Sequence, residues 1–169
     1  MELSFRWEPP PSLWVKLNSD CSSLGNPGPD GAGCVLRNEC GGVLFVIPQP
    51  IPHATTSNMA EFMALAFGLK VLTKFRHNSN ILEMDSQLLH KTITGCVEDL
   101  HWTLAEILFH IRNSLAELSD VRIVWNYREM NKCADVLAGF ASKMASSSTW
   151  FTTPHGQLTK WPTHGGCTA

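Results

Sequence analysis

A mixed α/β fold is expected from three features of the sequence. The first 47 residues carry short runs of alternating apolar and polar side chains separated by turn formers, which is strand periodicity. Near residue 56 the apolar period lengthens to that of a helix. From there, short apolar runs and helical stripes take turns. A three-strand meander followed by two parallel strands therefore builds a five-stranded mixed sheet with helices on both faces. Strands joined through helices run parallel, by right-handed crossovers.

Residues 1–12, with Pro9, Pro10 and Pro11, read as an extended lead-in. In 14–20, Trp14, Lys16, Asn18 and Asp20 share one side and Val15, Leu17 and Ser19 the other, so the stretch is a strand ending in an acid. Residues 25–31 are turn formers without the Gly-Lys-Ser/Thr of a phosphate-binding loop. Strands over 33–37 and 43–47 follow, joined by 38–42, and Pro48 to Pro52 ends the meander. Over 56–74, Glu61, Leu65, Gly68, Leu69 and Leu72 form one helical stripe, which Thr56, Ser57 or Asn58 can cap. A strand over 81–85 again ends in an acid. Residues 86–94 and 102–118 are helical, 121–125 is a strand, and Ala134, Leu137, Ala138, Ala141 and Ala145 mark the last helix. Trp102 and Trp125 read as core residues. The domain therefore spans 13–146, and 147–169, rich in Ser, Thr, Pro and Gly, reads as a loosely ordered tail.

Length and composition fit one globular domain: 169 residues, 44% hydrophobic, 17% charged. No run approaches the ~20 apolar residues of a membrane span, and residues 1–11 lack the pattern of a secretory signal. The six cysteines form no CxxC and no zinc-finger spacing, so they read as reduced thiols of an intracellular protein. A net charge of −2 is not the signature of a nucleic-acid binder. Neutralising four acids would turn it to +2, so that class stays open.

Those four acids are Asp20, Glu61, Asp85 and Asp135. Asp20 and Asp85 each close an expected strand, and acids at the ends of parallel neighbours emerge at one sheet edge. Glu61 and Asp135 stand near helix starts. Any one of them alone reads as an ordinary strand-end or solvated helix residue, except Glu61, whose place on an apolar stripe is costly. Four together repel and call for a divalent cation. Mg²⁺ prefers such oxygen ligands, and two ions roughly 4 Å apart can align an in-line phosphoryl displacement.

Four segments resemble motifs of type 1 ribonuclease H, in that family's order. They are Lys16-Leu17-Asn18-Ser19-Asp20 with the turn to Gly28; Thr56-Ser57-Asn58-Met59-Ala60-Glu61; Met84-Asp85-Ser86-Gln87; and Arg128-Glu129-Met130-Asn131-Lys132-Cys133-Ala134-Asp135. The Trp7-Glu8-Pro9-Pro10 opening and the last motif look most like the plant reverse-transcriptase-associated, retroelement-derived branch. The resemblance implies a ribonuclease H-like fold and a metal-binding catalytic tetrad of Asp20, Glu61, Asp85 and Asp135. It implies two Mg²⁺ ions, replaceable by Mn²⁺, with Asp20 and Asp135 on the ion that activates water and Asp20, Glu61 and Asp85 on the second. The implied reaction cuts the RNA strand of an RNA–DNA hybrid, leaving a 5′-phosphate and a 3′-hydroxyl. Asn26, Thr56, Asn58 and Gln87 match polar residues that contact the hybrid, and side chains of this kind can address ribose 2′-hydroxyls. A monomer in nucleus or cytoplasm is expected.

Three departures from the family stand out. Cys21 follows Asp20 where the family usually has Gly. The loop Trp125-Asn126-Tyr127 lacks the family's His, whose acid–base help is typically worth 10²–10⁴-fold. Residues 86–120 hold two basic side chains against five acids, so they form no basic handle for phosphates. These departures leave an alternative, a catalytically weak or inactive retroelement-derived nucleic-acid-binding module. A third reading is a different metal nuclease on the same fold.

Overall fold

Strand β1 (Trp14–Ser23) occupies the middle of the sheet. It pairs antiparallel with β2 (Asp30–Arg37) on one side and parallel with β4 (Ser79–Met84) on the other. Strand β3 (Val43–Ile51) continues the meander beyond β2, and β5 (Asp120–Trp125) lies parallel to β4. The computed structural model describes residues 6–25, 28–51, 56–75, 78–95, 99–145, 150–152 and 157–160. Among them are four α-helices: α1 (Ser57–Leu72), α2 (Gln87–Thr94), α3 (Trp102–Ala116) and α4 (Lys132–Ala141).

The five expected strands are present with the expected directions, and the sheet is two strands wider. Strands β6 (Trp150–Thr152) and β7 (Leu158–Lys160) extend it to seven, in the order β5-β4-β1-β2-β3-β6-β7. Trp150 and Phe151 pair with Val46 and Phe45, and the Thr152 hydroxyl donates to the Val43 carbonyl. The physical reason is the open edge of β3, which leaves backbone donors and acceptors unpaired unless something covers them.

Two of the boundary differences have a clear physical reason. The β2–β3 ladder runs through Pro48 and Pro50, opposite Gly33 and Gly31. These positions have the same parity, so their missing N–H groups lie on the side away from β2, where the ladder needs no donor. Asp20 does not end its strand either. The parallel pairing of β1 with β4 stops at Asn18–Glu83, but the antiparallel pairing with β2 runs on to Ser23–Asp30.

The two sheet faces are built differently. Val15, Leu17, Cys34 and Leu36 point toward α1 and bury against Phe62, Leu65, Leu69 and Leu72, with Leu108 and Ile111 of α3 completing that core. Gly68 lets α1 come close, because a Cβ there would press on Leu17 and Cys34. Alternate residues on the same strands face α4, where Ala134, Ala138 and Ala141 are fully buried. Trp102, expected in the core, is instead 70% exposed at the first residue of α3. The apolar face of that helix is carried by Leu108 and Ile111, a phase that excludes its first residue.

Helix α4 sits almost on the backbone of β2. A Cβ at Gly33 would overlap the Ala134 carbonyl and the Ala138 nitrogen, and one at Gly31 the Ala138 carbonyl and the Ser142 nitrogen. Gly33→Ala should therefore destabilise the protein by about 2 kcal/mol or more, because α4 must lift off rigid backbone. Urea unfolding of the variant checks this. A midpoint equal to that of the parent would contradict the packing.

Candidate active site

The β1–β4 register explains why two of the acids meet. Asn18 is level with Glu83, so two residues further along parallel strands Asp20 comes level with Asp85. Helix α1 then delivers Glu61. Thr56 caps this helix, its Oγ1 accepting the Met59 N–H at 3.1 Å. Glu61 lies one turn into α1, half-buried. Asp20, Glu61 and Asp85 line one cleft of about 430 Å³ with Cys21, Ser22, Ser23, Ser57, Asn58, Ser86 and Arg128. Asp135 is in the first turn of α4, bonded through Oδ1 to Arg128 Nη2 at 2.9 Å.

Asp20 is the most enclosed member, at 3% exposure. Its Oδ1 accepts the Cys21 backbone N–H at 2.8 Å, whereas its Oδ2 is buried with no hydrogen-bond partner among the described residues. Burial, reinforced by the charge of Asp85, pushes its carboxyl up to about 7. Burial also lifts Glu61 to about 8, with Asp20 and then Asp85 adding to the effect. Asp85 is raised as well, chiefly by burial, against the opposing bond from Asn131. The Cys21 thiol is held well above its usual range, first by burial and then by Glu61. Among the described residues, Arg128 is the one cation that lines the cleft, and it is half committed to Asp135. The fold thus gathers more negative charge than it neutralises.

This arrangement passes the test for a bound divalent cation. An orphaned buried carboxylate oxygen, neighbouring carboxylates and raised proton affinities are the features of a set of oxygen ligands for a divalent cation. Among the described residues, Asp20, Cys21 and Glu61 each offer a ligand atom, all within 4.8 Å of one another. Asp85 and Asp135 adjoin this group without belonging to it.

A buried polar brace fixes the strand ends beneath the cleft. Asn131 donates to the Ser19 carbonyl at 2.8 Å and to Asp85 Oδ1 at 3.3 Å, and its own Oδ1 accepts from Asn18 at 3.2 Å. Asn18 also donates to Glu83 at 2.8 Å, and Glu83 pairs with Lys16 at 3.0 Å. Arg37 donates to Asn18 Oδ1 at 2.8 Å, while the Trp7 indole donates to the same oxygen and stacks 3.5 Å from the Arg37 guanidinium. The Trp125 indole donates to the Asp85 carbonyl at 2.9 Å, so Trp125 is a half-buried brace rather than a core residue.

The expected substrate contacts are placed unequally. Asn58 lines the cleft; Thr56 is exposed and serves as the cap of α1; Gln87 is exposed at the first residue of α2. Asn26 lies outside the described residues. Sequence reasoning passed over Arg128 and Asn131 as functional positions, although both sit in the run that carries Asp135. The signal for the brace was the polar side of β1, where Lys16 and Asn18 share a face with Asp20.

Comparison with known proteins places these features in context. Residues 18–141 match a family model described as reverse transcriptase-like. An Arabidopsis thaliana protein named as a candidate ribonuclease H is 32% identical over 149 residues, covering 86% of this chain and 23% of that relative. Ribonuclease HI of Halobacterium salinarum is 34% identical over 122 residues, 72% of this chain and 61% of its own. The crystal structure of the Halobacterium enzyme superposes with a TM-score of 0.70 over 76% of this chain and 96% of that one. LC11-RNase H1, solved in complex with an RNA/DNA hybrid, superposes at 0.68 with 29% identity over 75% of this chain and 94% of that one. The chain thus spans less than two thirds of the length of these curated relatives.

The raised carboxyls set the pH dependence of the metal-free protein. Asp20 moves from 3.8 to about 7 and Glu61 from 4.5 to about 8, so the folded state holds more protons than the unfolded one. Stability is then full below the unfolded values and is lost as pH rises through the folded ones. In EDTA, the unfolding free energy from urea titrations should fall between pH 5 and pH 8, by on the order of 2 kcal/mol. Asp20→Asn should flatten that fall, and millimolar Mg²⁺ at pH 8 should offset it. A metal-free protein that gains stability across this window would contradict the crowding of the acids.

Proposed function

The chain belongs to the type 1 ribonuclease H family, and on that footing we propose that it hydrolyses the RNA strand of RNA–DNA hybrids at the cleft lined by Asp20, Glu61 and Asp85. The observation that carries this reading is the buried, unpartnered Asp20 Oδ2 among further carboxylates. Support comes from the relatives named as ribonucleases H and from the hybrid bound to LC11-RNase H1. We assign it further to the plant retroelement-derived branch, a reading in keeping with the reverse-transcriptase-like family model and the Arabidopsis relative.

In this reading Asp20, Glu61, Asp85 and Asp135 hold two Mg²⁺ ions, with Mn²⁺ as a substitute. Held there, Mg²⁺ would lower the pKa of a water and offset charge on the leaving oxygen. Asp20 contributes to both positions, which suits the most buried acid on the central strand. Asn131 steadies Asp85 by donating its amide N–H to the Asp85 Oδ1, and Arg128 orients Asp135. Ser22, Ser23 and Asn58 give the cleft a polar floor that can address phosphate and ribose hydroxyl groups. Thr56 and Gln87, both exposed near the cleft, extend that contact line. Among the described residues no helix is long and apolar enough to cross a membrane.

A second reading, a hybrid-binding module without catalysis, draws on Cys21 beside Asp20 and on Asn126. Asn126 occupies the loop expected to supply a His and donates instead to Glu83 at 3.2 Å. A labelled hybrid separates the two. The catalytic reading expects cleavage of the RNA strand at millimolar Mg²⁺ or Mn²⁺, with 5′-phosphate ends and none in EDTA. Asp20→Asn should abolish cleavage while leaving the circular dichroism unchanged. Hybrid binding by well-folded parent protein without cleavage in either metal would favour the module.

A further inference from the structure

The cleft contains one ligand atom that an oxygen-lined magnesium site does not call for. Cys21 follows Asp20 on β1, so its side chain falls on the opposite face, toward Glu61 on α1. Its Sγ lies with a carboxylate oxygen of Asp20 and one of Glu61 inside a 4.8 Å group. Cys21 is 9% exposed, and its thiol donates to the Ser57 carbonyl at 3.8 Å and is hydrogen-bonded to Glu61. A thiol among acids is not by itself a site. The second observation is Asp20, 97% buried, which contributes a carboxylate oxygen to the same group and whose Oδ2 no donor among the described residues satisfies.

Ligand chemistry then separates the candidate ions. Mg²⁺ selects oxygen donors and octahedral geometry, so it gains nothing from sulfur. Zinc-class ions accept sulfur and oxygen together, commonly through three protein ligands with a fourth position open. One sulfur and two carboxylates from three side chains match that donor set.

We propose that Asp20, Cys21 and Glu61 form a site for a thiophilic divalent cation of the zinc class, which competes with Mg²⁺ for the hydrolytic centre. As the metal–sulfur bond forms, the thiol proton passes to solvent, and the three anionic donors hold the dication. Cys21 thereby sets the metal preference of the centre. The inference rests on the metal-centre reading above but not on turnover.

Co²⁺ is the probe, added to the metal-free full chain without nucleic acid. The expected result is a sulfur-to-cobalt charge-transfer absorption that Zn²⁺ bleaches. Cys21→Ser should lose this band and bind Zn²⁺ more weakly by over about tenfold, in competition with a chromophoric chelator. The other five cysteines stay in place, so the difference reports Cys21 alone. Cys21→Gly repeats the test should the serine variant fold poorly by circular dichroism. A band that survives both substitutions, or Co²⁺ binding to the parent without one, overturns the proposal. Hybrid cleavage is scored separately with Mg²⁺: cleavage without the cobalt band sinks this inference and keeps the hydrolase, whereas the band without cleavage does the reverse.

Discussion

Unneutralised charge at the middle of the sheet is the constraint around which this protein is arranged. Asp20 is buried on the central strand, level with Asp85 and beside Glu61, and among the described residues the fold supplies one partly committed guanidinium against them. A carboxylate so placed is costly unless something external compensates it. Accepting that cost is intelligible at a site that waits for cations. Elsewhere in the core the polar groups are almost all satisfied; the further described exceptions are Arg37 Nε and Asn80 Oδ1.

The rest of the architecture holds that charge in place. Parallel pairing of β1 with β4 aligns two acids, antiparallel pairing with β2 continues past them, and the absence of side chains at Gly31 and Gly33 lets α4 lie close enough to bring Asp135 near. The apolar core on the α1 face fixes the depth of Glu61. On the other face the Asn18–Asn131–Glu83 brace ties three chain segments together, from β1, β4 and the start of α4. A polar brace of this kind specifies a single register, because any slip leaves several buried amides without partners.

Much of this was legible in the residues. The switch from a two-residue to a helical period located the meander and α1, and Glu61 declared itself by interrupting an apolar stripe. Other features depend on partners distant in the chain. Asp20 was read as a strand end, since nothing local reveals that β2 accompanies β1 for longer than β4 does. Pro48 and Pro50 looked like a stop because the side on which a strand lacks a neighbour is a tertiary fact. Trp102 has the composition of a core residue and the helical phase of a surface one. Asn131 needed Asp85 and Asn18, 46 and 113 residues away, before its role could be seen. The proximity of Cys21 to Glu61 likewise exists only once α1 is docked.

The Trp7 indole lies flat on the Arg37 guanidinium and shares an acceptor with it on Asn18, while the Glu8 carbonyl receives the Lys16 ammonium at 2.8 Å. The segment ahead of the first strand is therefore a lid on buried cations. A shortened chain beginning at Trp14 would retain every helix and strand of the domain. It would nevertheless admit water to two positive side chains at the root of the brace, so the functional boundary of the domain lies upstream of its first regular element.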